Sequence, residues 1–115
     1  MKIIRLITIA TIVTLSSLFA ETSPLTKLET SAASGNAMAQ FELGRAYFRG
    51  DGLDTDKAKA HAWILKSAEQ GNLDAITTMG YFYSQGIVLE KDEAKAIEWF
   101  RKGAEAGSAK SQLNL

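Results

Sequence analysis

The chain has 115 residues, 13 Lys plus Arg against 13 Asp plus Glu, and 46% hydrophobic residues. Balanced charge excludes the basic excess that a nucleic-acid partner demands and equally an acidic disordered tail. The hydrophobic share is that of a packed chain, and the absence of cysteine removes both disulfide stapling and thiol chemistry.

Lys2 and Arg5 precede an uncharged apolar run, Leu6 to Phe19, and Ala20 offers a small residue before Glu21. This is the layout of a secretory signal peptide over residues 1–20. The run is shorter than the roughly 20 residues of a membrane span. The expectation is cleavage after Ala20 and export to the periplasm, with no membrane span in the mature chain.

Residues 21–35 read as a terminal helix and the tail of a partial repeat. Ser23-Pro24 places a capping hydroxyl before Pro at the first helical position, and Leu25, Leu28 and Ala32 follow on one face. From there the sequence repeats itself at a step of 36 residues. The step links Gly44 to Gly80, Tyr47 to Tyr83, Gly50 to Gly86, Asp56 to Asp92, Lys59-Ala60 to Lys95-Ala96, Trp63 to Trp99 and Gly71 to Gly107. A fixed period between about 20 and 50 residues signals stacked supersecondary units. The units span 36–71 and 72–107, and residues 108–115 begin another.

Each unit reads as two helices. The first runs from about 37 to 48, and again from 73 to 84, with repeated residues on one face. Gly44 and Gly80 lie mid-helix, where Gly costs about 1 kcal/mol against Ala; their recurrence predicts close helix approach under a large neighbouring ring. The second helix starts at Asp56 or Asp92, whose carboxylate caps the free N–H groups. Ala60, Trp63, Ile64 and Ser67 form its buried stripe, and Ala96, Trp99, Phe100 and Gly103 repeat it. Gly35-Asn36, Gly71-Asn72 and Gly107-Ser108 each read as one helix closing and the next opening.

These residues resemble a known family. Leu43-Gly44, Tyr47, Gly50, Gly52, Asp56, Lys59-Ala60, Trp63, Lys66, Ala68-Glu69 and Gly71 match the Sel-one-like repeat (SLR), a relative of the tetratricopeptide repeat. The second copy departs from it at Met79 and at Val88, which stands where the second loop Gly is expected, so a different loop shape is expected at 86–90. The resemblance implies an all-α, right-handed α-solenoid of antiparallel helix pairs. It also implies a non-catalytic scaffold or adaptor of the bacterial envelope that binds a protein or peptide. Some cysteine-rich exported members resemble β-lactamases, which leaves a β-lactamase-like or cell-wall hydrolase as one alternative. A structural fragment of a longer solenoid is the other, since the sequence stops at Asn114-Leu115, where the next repeat Gly is due.

No enzyme motif accompanies the repeat. Ser-x-x-Lys, Gly-x-Ser-x-Gly and His-Glu-x-x-His are absent from the sequence. Asp51, Asp54 and Asp56 gather near glycines, but Ala62 stands where a calcium loop needs its bidentate Glu; a turn and a helix cap account for them. His61 reads as a lone exposed residue off the buried stripe. No metal, cofactor or catalytic residue is expected. In helical-repeat binders of this kind the first helix of each unit lines the concave face, and its non-consensus positions select the partner. Here these are Met38, Phe41, Arg45, Phe48 and Arg49, then Asp74, Thr77, Tyr81, Ser84 and Gln85. Aromatic and Arg side chains make the usual hot spots, and an Arg pair one turn apart suits a carboxylate.

Overall fold

The computed structural model describes residues 23–113, and side chains within 23–107. The segment read as a signal peptide lies outside the described residues. Five helices follow in order among the described residues: α1 Pro24–Ala33, α2 Ala37–Arg49, α3 Lys57–Glu69, α4 Leu73–Gln85 and α5 Glu93–Leu113. They form an all-α solenoid in which α2 pairs with α3 and α4 with α5, while α3 packs on α4 and α1 on α2.

The repeat is written into the helix ends. Asn36 and Asn72 accept from the amides of Ala39 and Ala75 at 2.9 Å. Asp56 and Asp92 accept from Lys59 and Lys95 at 3.0 and 3.1 Å. These are the N-caps that a helix start needs. At the far end of α1 and of α3, paired bonds run from Gly35 to Ala32 and Asn36 to Ser31, and from Gly71 to Ala68 and Asn72 to Ser67. This is the Schellman arrangement, and it requires the left-handed conformation that Gly35 and Gly71 adopt.

The third such closure does not form. α5 continues through Gly107-Ser108 to Leu113. Gly71 turns left-handed because α4 folds back onto α3. Among the described residues no helix folds back onto α5, and Ala109, Lys110 and Gln112 favour helix. The loop after α4 also differs from expectation. Val88 takes φ 65° where Gly52 takes φ 77°, so the left-handed turn survives the loss of glycine. A β-branched residue there carries strain of about 1–2 kcal/mol.

The core divides along the seams. Phe41, Ile64, Ala75, Ile76, Met79 and Phe82 form one cluster joining the two units, and Ala32, Ala39 and Leu43 form another beneath α1. A Cβ on Gly80 would stand 2.5 Å from the Phe100 ring, as expected of a glycine under an aromatic. At Gly44 the intruding group is Ile64 rather than a ring, with the Ala60 carbonyl also 3.0 Å away. Trp63 and Trp99 are half-buried, and Lys66 and Lys102 lie 4.7 and 4.5 Å over their rings. The repeat tryptophans thus pack within their units under a cation–π lid.

Candidate functional site

Five of the ten residues picked from the first helices converge. Phe41, Arg45, Phe48 and Arg49 on α2 and Tyr81 on α4 line one open groove of about 220 Å³. Ile64, Thr78, Phe82 and Ile87 complete it. Arg45 and Tyr81 hold the same repeat position on neighbouring first helices, so the groove runs between α2 and α4. The other five positions do not line it. Met38 is exposed and borders a shallow apolar surface against α1. Asp74, Thr77 and Gln85 are exposed and Ser84 is half-buried.

The aromatic residues do not all present free faces. Phe41 is 9% exposed and belongs to the core. Phe48 stacks on Phe82 at 5.9 Å. They form floor and wall, and the exposed aromatic is Tyr81, 51% exposed and edge-on to Phe100 at 5.3 Å. Ile64, Phe82 and Ile87 were missed because Ile64 reads as core and Phe82 replaces the small Ala46 of the first unit. Ile87 falls in a loop. The replacement of a small by a large residue at one repeat position is the signal that marked Phe82.

Arg45 lies 5.6 Å over the Phe41 ring and pairs with Glu42 at 3.3 Å. Both partners are exposed, and such a pair holds little free energy. Among the described residues no carboxylate lies within 4 Å of the Arg49 guanidinium. No acidic residue lines this groove. The adjacent groove between α1 and α2 shares both arginines but adds Glu42 and Asp51.

His61 is not the exposed residue expected. Its ring lies 6.3 Å from Phe82, and its Nε2 is buried with no hydrogen-bond partner. α3 is covered on two sides, by α2 and by α4, so a position off the first stripe meets the second. Burial lowers the His61 pKa below its ordinary 6.5. Among the described residues no group of three His, Cys, Asp or Glu is placed to hold a metal ion, and no helix is long and apolar enough to cross a membrane.

This architecture defines a class of helical-repeat protein, and comparison places the chain within it. The Sel1 repeat model matches residues 37–72 and 74–108, so the chain belongs to the Sel1 repeat family. Its members are generally protein-interaction scaffolds and typically non-catalytic. A Sel1 repeat protein from Oxalobacter formigenes superposes with TM-score 0.70 at 38% identity, over 72% of this chain and 62% of that one. A protective antigen of uropathogenic Escherichia coli strains, displaying an SLR fold, superposes with TM-score 0.69 at 37% identity. There the match covers 72% of this chain and 18% of the antigen. The chain thus spans less than two thirds of either solved relative. No curated protein matches it.

Proposed function

We propose that the chain is a non-catalytic adaptor of the bacterial cell envelope that docks a protein or peptide segment along the α2–α4 face. The observation that carries this reading is the convergence of Arg45, Arg49 and Tyr81 on one open apolar groove. The repeat pattern demands none of these three residues, and Tyr and Arg are the side chains that most often anchor an interface. The envelope location rests on the charged start, the apolar run and Ala20 in residues 1–20.

A photo-crosslinking residue at Tyr81, in the chain expressed with residues 1–20, tests both halves. Ala62, exposed on α3, is the control position. The expected result is one dominant adduct at Tyr81, absent at Ala62, on a protein whose mass shows cleavage after Ala20. Equal capture at both positions removes the groove assignment. An uncut, cytosolic product removes the location.

A further inference from the structure

The proposed binding face has a definite size and sign, and together these name what it holds. At about 220 Å³ the groove falls below the roughly 300–1,000 Å³ of small-molecule and cofactor sites. It has room for one aromatic or branched aliphatic side chain. Its floor and walls, Phe41, Ile64, Phe82 and Ile87, are apolar. Its charged lining consists of Arg45 and Arg49 alone.

The two arginines are one helical turn apart, so their guanidinium groups can serve a single anion. Arg45 is steadied by the Phe41 ring and holds only a solvent-exposed partner. Arg49 has no carboxylate within ion-pair reach among the described residues. The neighbouring α1–α2 groove carries Glu42 and Asp51 beside the same two cations, whereas the α2–α4 side offers them no carboxylate. Across from Arg45, Tyr81 supplies a half-exposed ring and a phenol at the same level.

Resting on the reading of this face as a peptide-docking groove, we infer that its occupant is an acidic peptide segment. One apolar side chain of the segment seats between Phe41, Phe82 and Ile87. A carboxylate adjacent to that side chain lies across Arg45 and Arg49. Apolar burial supplies the anchor, and the charge sets which segments are accepted.

The test uses two small probes of nearly the same shape, the N-acetylphenylalanine carboxylate and its neutral amide. Each is titrated into the ¹⁵N-labelled full chain and followed by amide chemical shifts. The carboxylate probe should move Arg45, Arg49, Thr78 and Tyr81, and bind about tenfold more tightly than the amide, the usual worth of a charge-assisted hydrogen bond. Arg49→Gln, at an exposed position, should bring the carboxylate probe's affinity down to that of the amide. If both probes move the groove equally, the acidic occupant is overturned and the docking groove stands. If neither probe moves these residues, the groove reading falls and the inference with it.

Discussion

Gln40, Ser67 and Gln70 of the first unit stand where Ile76, Gly103 and Ala106 stand in the second. In the first unit they form a thread of hydrogen bonds. Gln40, 5% exposed, donates to the Ala32 carbonyl at 3.1 Å; Gln70 donates to Gln40 at 2.8 Å; the Ser67 hydroxyl donates to the Ala37 carbonyl at 2.6 Å. In the second unit the same positions meet as apolar surface, Ile76 against the backbone of Gly103. The flanks differ too. Ile64 is 1% exposed beneath α4, whereas its counterpart Phe100 is 37% exposed. His61 is half-buried and its counterpart Ile97 is 56% exposed. Repeat position therefore fixes local conformation, while the neighbouring helix decides what that position is worth.

Substitution at matched positions sharpens this difference. Ile64→Ala should cost about 3 kcal/mol in urea denaturation, because it opens a cavity in the seam between the units. Phe100→Ala should cost about 1 kcal/mol, since its ring is partly in water already. Equal losses would mean that Phe100 is covered in solution. Gln40→Ala should cost about 2 kcal/mol by stranding the Ala32 carbonyl, whereas Ile76→Val, which deletes one buried methyl group, should cost about 1 kcal/mol at the apolar counterpart. Hydrogen exchange at Ala32 to Asn36 should rise in the first variant and stay unchanged in the second.

The two mid-helix glycines make a finer test. Gly44→Ala meets the Ile64 side chain near its root and the Ala60 carbonyl, so a loss of about 1–2 kcal/mol is expected despite better helix propensity. Gly80→Ala meets only the Phe100 ring, which has solvent on one side and can swing away. Its thermal midpoint should change by a few degrees at most.

The smallest effect is pH-dependent. Burial disfavours the His61 imidazolium in the folded chain, so the unfolded chain binds that proton more readily. Stability should fall as pH drops below about 6.5 and level off below the folded-state pKa. His61→Leu should flatten that component in urea midpoints measured from about pH 7.5 to pH 5. No flattening would place the imidazole in water, as its counterpart Ile97 is.

The helices, caps and turns were legible because period and capping chemistry are local. Asn36, Asp56, Asn72 and Asp92 each announced a helix start in one residue, and each caps one. Partner contacts were less legible because they belong to the stack. Nothing in the sequence around His61 tells that α4 covers it. Nothing in the run from Glu93 to Leu113 tells whether a following helix will draw Gly107 into a turn. The groove was half legible: departures from the repeat at Arg45, Arg49 and Tyr81 stood out, whereas Ile64 read only as core and Phe82 and Ile87 were not singled out. Val88 shows a third case. Its position demanded the left-handed turn, and the turn prevailed over the residue's own preference.

The Lys-lidded tryptophans have an optical consequence. The chain carries one indole in each unit, at the same repeat position and under the same kind of cation. Each unit is thus labelled with its own intrinsic fluorophore in a matched environment. Trp63→Phe leaves an emission that reports α4–α5, and Trp99→Phe one that reports α2–α3. In a one-dimensional stack each unit melts with its own stability plus that of its neighbour interface, so the two emissions follow the two units separately. The interval between the two melts measures directly how strongly one unit holds the next.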